Sequence, residues 1–223
     1  MLHHPLSEKT LPNPPRFQAP ASDHAGALEL MGTQLRFCRN EEIYGDGEPA
    51  EYLYKVTSGT VRTSKILSDG RRQIGAFYLP GDIFGLEAGD THTSSAEAIG
   101  ESRILVIKLR SAMDLAARDA KVANQLWSAT SREMQRAQAH MLLLIKTAQE
   151  RVAGFLIDMA KRAKNASTLQ LTMSRQDIAD YLGLTIETVS RTLSQFERSA
   201  AISLQSSRLI EIRNRAELNR LNS

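Results

Sequence analysis

The chain has a single cysteine and no long apolar segment. Cys38 has no second cysteine with which to form an internal disulfide, and one thiol cannot hold an iron–sulfur cluster or a structural zinc ion. No apolar run approaches the roughly 18 to 20 residues that a membrane-spanning helix needs, and the N-terminus lacks a basic segment followed by an apolar core. We therefore expect a cytoplasmic protein that contacts no membrane.

Proline is absent after Ser111 and concentrated at the start of the chain. Residues 1–26 contain five of the seven prolines and no apolar periodicity, which is typical of a flexible arm. Residues 27–110 consist of short β-rich runs, separated by turns rich in glycine and aspartate. Many short strands at close spacing predict a compact β-roll or barrel. The remaining residues favour helices, so that the fold class is α+β.

The net charge of +3 is distributed unevenly along the chain. Residues 145–223 carry 12 Lys/Arg against 8 Asp/Glu, a net charge of +4, whereas residues 1–144 have a net charge of −1. A positive excess at one end favours a polyanionic partner such as DNA. A solvated basic face is the alternative that charge alone leaves open.

Residues 111–145 are predicted to form a long helix with a break near Asp119. Side chains recur along it at alternating steps of four and three, which is the spacing of a coiled-coil seam. We expect a second copy of the chain to cover this seam by twofold symmetry, the alternative being a helix that packs only on its own domain. The predicted dimer interface is Trp127, Thr130, Met134, Ala137, Met141 and Leu144.

A helix-turn-helix is predicted within residues 146–223, after a shorter helix over residues 147–164. Ser174 and Asp177 have the spacing of a capping box, Gly183 can adopt the left-handed conformation that ends a helix, and Thr185 can cap a second helix. Residues 201–204 and 208–212 then predict a hairpin, which makes the module winged. The expected core residues are Ile178, Ala179, Leu182, Leu184, Val189, Leu193 and Phe196.

The N-terminal end of the second helix is the predicted DNA-reading element. Arg191 can donate two hydrogen bonds to guanine, Glu187 can accept from cytosine N4, and Ile186 suits a thymine methyl. Ser190 lies beside them and can reach an adjacent base or phosphate. The predicted phosphate contacts, which fix register without choosing bases, are Arg175, Thr185, Thr188, Ser207 and Arg208.

Both halves of the chain resemble the Crp/Fnr transcription regulators, over residues 28–223. The roll matches the glycine skeleton of that family at residues 45–46, 58–61, 69–71 and 80–85. Glu187-x-x-Ser190-Arg191 resembles the signature of the Fnr-like branch, and Ile186 stands where cyclic-AMP receptors have an additional arginine. The resemblance implies a jelly roll like that of cyclic-nucleotide-binding domains, a long dimerisation helix and a C-terminal winged helix-turn-helix.

The chain departs from the family's sensors at two places. Cyclic-nucleotide sensors of the family have an arginine for the cyclic phosphate, but no Arg or Lys occurs between Arg72 and Arg103, so the phosphate would lack its bidentate partner. Oxygen sensing through an iron–sulfur cluster needs several cysteines. A chain of this family that lacks both kinds of sensor resembles the FixK-type regulators of rhizobia. This implies a homodimeric activator without a cofactor, which acts with RNA polymerase on genes of microaerobic respiration, denitrification or nitrogen fixation and binds a palindrome close to TTGAT and ATCAA.

Three other functions are considered. A haem regulator of the same family that responds to nitric oxide would use His92 and His140 as candidate ligands. A ligand-binding signalling module would use the winged helix for protein contacts rather than for DNA. An enzyme is not expected, because the sequence has no glycine-rich phosphate loop, no metal-ligand spacing and no nucleophile elbow; no metal site is expected either.

Overall fold

The computed structural model describes residues 26–163 and 168–222, so that the expected flexible arm, apart from Gly26, lies outside the described residues. A short 3₁₀ turn, Glu29–Met31, precedes the first strand. The described strands are β1 (Thr33–Phe37), β2 (Glu42–Tyr44), β3 (Tyr52–Ser58), β4 (Val61–Ile66), β5 (Arg72–Tyr78), β6 (Ile83–Phe84), β7 (Ser95–Ala98), β8 (Ser102–Lys108), β9 (Thr168–Gln170), β10 (Ile202–Leu204) and β11 (Leu209–Ile212). The described helices are α1 (Leu109–Ala116), α2 (Ala120–Leu144), α3 (Ala148–Arg162), α4 (Arg175–Leu182), α5 (Ile186–Arg198) and α6 (Arg215–Leu221).

Strands β1 to β8 form the predicted roll. Two four-stranded antiparallel sheets, in the orders β1-β8-β3-β6 and β2-β7-β4-β5, enclose an apolar interior that contains Tyr44, Tyr54 and Phe84. The turn between β3 and β4 requires glycine, because Gly59 has a φ of 86° and a Cβ there would lie 2.6 Å from the carbonyl oxygen of Glu101. Such tight turns allow eight short strands to close over one core.

The predicted long helical stretch is two helices, and the expected break lies at Asp119. The Asp119 side chain accepts a hydrogen bond from the backbone N–H of Lys121 at 2.8 Å and so begins α2. One face of α2 is buried against the roll through Val122, Leu126 and Ala129. The long helix is therefore held on the roll along its first turns, whereas an adjacent face of the same helix is not covered.

Helices α3 to α6 and strands β9 to β11 form the C-terminal unit. The predicted hairpin is present as β10 and β11, but β9 adds a third strand, pairing Leu169 with Ile210. Neither β9 nor α6 was predicted, because a strand of three residues and a helix of seven are too short to show periodicity. Both elements are fixed by tertiary contacts, since Leu169 and Leu218 are buried in the core of this unit.

The C-terminal unit and the roll share one hydrophobic cluster. Ile74 and Phe77 of β5 are buried with the core residues of the winged helix, and the ring centroid of Phe77 lies 5.1 Å from that of Tyr181 in α4. The C-terminal unit therefore rests directly on one sheet of the roll. No helix within residues 26–163 and 168–222 is both long and apolar enough to cross a membrane.

Candidate nucleic-acid interface

Local hydrogen bonds define the helix-turn-helix as the sequence predicts. The Ser174 hydroxyl accepts from the backbone N–H of Asp177 at 3.0 Å, and the Asp177 carboxylate accepts from the backbone N–H of Ser174 at 2.9 Å. This capping box begins α4, which ends at Gly183 with a φ of 60°. Thr185 then caps α5 by accepting from the N–H of Thr188 at 3.2 Å. All three sequence signals for the helix ends are confirmed.

The core between α4 and α5 is also the predicted one. Ala179 in α4 has no exposed surface, and its small side chain lets the two helices approach. Leu184 in the turn is half-buried against the same cluster. The other predicted core side chains are almost completely buried: Ile178, Leu182, Val189, Leu193 and Phe196.

The predicted reading residues lie on the exposed side of the first turns of α5. Glu187, Ser190 and Arg191 are exposed, and 37% of the Ile186 surface is accessible. Hydrogen bonds from its own backbone N–H and from the Thr185 hydroxyl lower the pKa of Glu187, and the charge of Arg191 lowers it further. Glu187 is therefore ionised near neutral pH and can act as an acceptor only.

The predicted phosphate-binding residues have different degrees of exposure. Thr185, Ser207 and Arg208 are exposed, the last two in the turn of the wing formed by β10 and β11, and Thr188 is half-buried. Arg175 is also half-buried, and burial lowers its pKa. Among the described residues no hydrogen-bond acceptor faces its Nη1 atom. Arg175 thus keeps a buried donor atom that is unpaired among the described residues.

Arg151 is a residue of this region that sequence reasoning missed. Its Nη1 atom donates to the carbonyl oxygen of Leu182 at 2.9 Å, at the C-terminal end of α4, where a cation is favourable. Its Nε atom donates to the carbonyl oxygen of Lys146 at 2.8 Å, in the link between α2 and α3. Arg151 therefore connects the end of the long helix to the turn of the helix-turn-helix. No pattern in the sequence marks this contact, because its acceptors are backbone atoms.

The predicted seam on α2 is an exposed stripe in the single chain. Trp127, Met134 and Met141 are 73%, 58% and 62% exposed. Thr130 and Ala137 are exposed between them, whereas Leu144 is half-buried. Ile145, which was not predicted, extends the stripe with 80% of its surface exposed. Such a stripe of large apolar side chains is unfavourable in water unless another surface covers it.

Comparison with known proteins identifies the family. A model described as a cyclic nucleotide-binding domain matches residues 34–119, and one described as a Crp-like helix-turn-helix domain matches residues 150–221. The chain is 50% identical over 205 residues to the nitrogen fixation regulation protein FixK of Azorhizobium caulinodans, covering 89% of this chain and 83% of that protein. The chain belongs to the Crp/Fnr family. It is a DNA-binding transcription regulator and not an enzyme, as the sequence predicts.

Further relatives agree with this assignment to the Crp/Fnr family. FixK of Rhizobium meliloti is 40% identical over 193 residues, with 85% of this chain and 88% of that protein covered. The solved structure of FixK2 from Bradyrhizobium japonicum superposes with a TM-score of 0.82 at 50% identity and covers 86% of this chain and 98% of that one. The resemblance to the FixK-type regulators is therefore confirmed, and so is the fold of roll, long helix and winged helix.

A cavity of about 1000 Å³ lies between the roll, α2 and the C-terminal unit of this Crp/Fnr chain. Residues 85–96, which supply part of its wall, contain no Lys or Arg. Arg136 and Arg162 line it as well, but both form ion pairs with Asp82, at 2.9 and 2.8 Å. Glu87 accepts from the Thr93 hydroxyl at 3.2 Å. The roll's part of this wall does not fit the phosphate of a cyclic nucleotide, because it offers no cation, and Arg136 and Arg162 are already paired. The other cations that line the cavity lie outside the roll, on α2, in the link to α3 and on α3: Arg132, Lys146 and Lys161.

The two histidines considered as haem ligands have different surroundings. His92 is buried in the roll, stacked on Tyr44 with ring centroids 3.6 Å apart, and its Nδ1 atom lies 3.5 Å from Glu87. His140, on α2, donates from Nε2 to the carbonyl oxygen of Tyr181 at 2.7 Å. Burial lowers the pKa of His140 more than its hydrogen bonds raise it. The described contacts of both rings are thus packing and hydrogen-bonding contacts.

Proposed function

We propose that the protein is a homodimer that binds a palindrome close to TTGAT and ATCAA and activates genes of nitrogen fixation or low-oxygen respiration, together with RNA polymerase, in the cytoplasm. The observation that carries this proposal is the free reading face at the start of α5, where Glu187, Ser190 and Arg191 are exposed on a helix whose opposite side is fully buried. The FixK relatives, which are named for the regulation of nitrogen fixation, support the class of target genes.

The chemistry of this face suits one base pair and its neighbour in each half-site. Arg191 can donate to O6 and N7 of guanine, and the ionised Glu187 can accept from N4 of cytosine. Ile186 offers apolar contact to a thymine methyl. Contacts from Arg175, Thr185, Thr188, Ser207 and Arg208 to phosphates would set the register without choosing bases.

Dimerisation through the stripe on α2 would give the protein the same twofold symmetry as the palindrome. Across a twofold axis, the same stripe of each protomer would pack against its copy; it consists of Trp127, Thr130, Met134, Ala137, Met141 and Leu144. Two reading helices related by that axis would enter successive major grooves about 34 Å apart. The half-sites should therefore be centred about one turn of DNA apart.

The protein is expected to act without an effector. The roll's part of the large cavity offers no cation for a cyclic phosphate, and the single cysteine, Cys38, is exposed on the roll. We expect the purified protein to bind its palindrome without cyclic AMP, haem or metal. Sub-millimolar binding of cyclic AMP in a calorimetric titration, or loss of DNA binding together with a haem absorbance, would overturn this expectation.

The test of base reading is fluorescence anisotropy with the palindrome and with a duplex in which the guanine of each half-site is replaced, at one fixed salt concentration. Arg191→Ala should lose about 1 to 3 kcal/mol per half-site on the palindrome and much less on the altered duplex. Arg198→Ala, at the exposed C-terminal end of the same helix, is the matched control and should leave the preference intact. Equal losses on both duplexes for Arg191→Ala would refute base reading by this arginine.

A further inference from the structure

An ion-pair cluster joins the roll to the first helix of the helix-turn-helix. Arg62 of β4 lies 2.8 Å from the Asp177 carboxylate of α4, and Arg72 of β5 lies 2.9 Å from the same oxygen. Arg72 also pairs with Asp180, one turn further along α4, at 2.7 Å. The contacts span more than a hundred residues of sequence and connect the two units of the chain directly.

These charges are largely removed from water. The side chains of Arg62 and Asp177 are only 9% and 5% exposed, and that of Asp180 is 12% exposed. Burial by itself raises the pKa of Asp177, but hydrogen bonds from Ser174 and the charges of Arg62 and Arg72 outweigh it, so that the pKa is lowered. Asp177 is thus an ionised group that depends on its two arginine partners, because an unpaired charge at this depth is strongly unfavourable.

Neutral contacts surround the cluster and hold the same helix. The Gln73 amide donates to the carbonyl oxygen of Tyr181 at 3.2 Å, and the His140 ring stacks on the Tyr181 ring with centroids 3.9 Å apart. In the segment that leads into α4, the Thr172 hydroxyl lies 2.9 Å from that of Thr60 in the roll. These directional contacts on several sides add to the apolar contact of Ile74 and Phe77 and favour one orientation of α4 on the roll.

The orientation of α4 sets that of α5. The two helices share the buried residues Ala179, Leu182, Val189 and Leu193, and such a close-packed contact moves as one body. The face of α4 that carries Asp177 and Asp180 turns to the roll, whereas the reading face of α5 remains exposed. The contact with the roll therefore fixes the reading helix without covering it.

We propose that Arg62 and Arg72 are positioning residues for DNA binding, which hold the winged helix on the roll in the orientation that reads DNA and so replace an effector. This inference rests on the proposed function. Neither arginine belongs to the residues predicted to read bases or to contact phosphates. Their effect on the affinity for DNA is therefore indirect and is exerted through their ion pairs with Asp177 and Asp180. Ion pairs suit this role, since their geometric requirements select one arrangement even where they add little net stability.

The test uses the Arg72–Asp180 pair, which is less buried than Arg62 and so less able to unfold the chain when it is removed. Arg72→Ala and Asp180→Ala should each weaken binding of the palindrome by roughly 2- to 30-fold, the range for residues that act on a site through another. The double variant should lose no more than the stronger single variant, because the contact between Arg72 and Asp180 is already lost in each of them. Arg71→Ala is the matched control and should bind as wild type does, because Arg71 is 77% exposed and, within the part of the chain that the structure describes, pairs with its near neighbour Asp69 alone.

A second measurement reports orientation rather than affinity. Cys38 is the single cysteine and is exposed on the roll, and Ser194 is exposed on α5. Spin labels on Cys38 and on Ser194→Cys, in protein diluted with unlabelled chain, should give one narrow distance distribution. Adding Arg72→Ala should broaden it, and Arg72→Lys, which keeps the charge, should restore much of the narrow distribution and of the affinity. A lower thermal stability alone would not produce this broadening well below the unfolding temperature.

The outcomes separate the inference from the function on which it rests. If the Arg72 and Asp180 variants bind the palindrome as tightly as wild type, or more tightly, the contact does not position the reading helix for DNA and the inference is wrong. An unchanged narrow distance distribution in Arg72→Ala would refute the inference as well. If the wild-type protein fails to prefer the palindrome over the altered duplex, the proposed function itself fails, whatever the distance distributions show.

Discussion

Replacing Met134 by glutamate should separate the proposed dimer. Met134 is 58% exposed in the single chain, and complete burial of a methionine side chain is worth about 1.5 to 3 kcal/mol. Covering the exposed part should contribute about 1 to 2 kcal/mol per protomer, and twofold symmetry applies this contribution twice. Met134→Glu removes this contribution and places two carboxylates near the axis, so that the dimer dissociation constant should rise roughly 30- to 700-fold, at 1.4 kcal/mol per factor of ten.

Sedimentation equilibrium at micromolar concentration measures this change, and anisotropy with the palindrome measures its consequence. Gln135→Glu is the matched control, because it adds the same charge to an exposed neighbouring position that is turned about 100° around the helix. The control should remain dimeric and bind DNA normally, whereas Met134→Glu should lose both properties with its reading face untouched. A Met134→Glu protein that sediments as wild type does would refute the assignment of the stripe as the dimer interface.

Three further changes test separate parts of the site. Ser174→Ala should lower the free energy of unfolding by about 1 kcal/mol, measured by chemical denaturation, because the backbone N–H of Asp177 loses its acceptor; no loss would mean that the capping box is not formed in solution. Arg208→Ala should weaken binding of every duplex alike and reduce the slope of log affinity against log salt by about 1, and an unchanged slope would show that this arginine touches no phosphate. Folding lowers the pKa of His140 from its usual value of 6.5, so that its contribution to the free energy of unfolding is present above about pH 6.5 and is lost as the pH falls through the folded pKa. His140→Gln should remove this part of the pH dependence of the free energy of unfolding. A variant with the same pH dependence as wild type would contradict this prediction.

Much of the C-terminal unit could be predicted because its signals are local. Ser174 with Asp177, then Gly183, then Thr185 mark helix ends through hydrogen bonds that span only three or four residues. Periodicity along α4 and α5 gives the buried side, and the exposed reading side follows from it. Ile145 shows the limit of such reasoning, since it follows the last residue of α2 and lies outside the repeat that defines the seam.

The elements that the sequence did not predict depend on partners far along the chain. Strand β9 exists because Leu169 pairs with Ile210, and no pattern within three residues could reveal that pairing. In the sequence Arg151 is an ordinary basic residue of a helix. In the fold its guanidinium group donates hydrogen bonds to carbonyl groups of two other segments. Long-range contacts of this kind become visible only when the whole chain is packed.

Asp177 has both a local role, which the sequence predicts, and a long-range role, which only the structure shows. In the sequence its position three residues after Ser174 explains it fully as a helix cap, which needs only one of its carboxylate oxygens. In the structure its other oxygen accepts from Arg62 and Arg72, so that the same carboxylate begins the reading unit and attaches it to the roll. A capping residue on a freely tethered domain could remain in water, and its ionised form would need no partner. The burial of Asp177 is therefore explained by the attachment of the winged helix to the roll and not by the helix cap. On this view the roll determines the orientation of the winged helix, whereas local signals determine its fold.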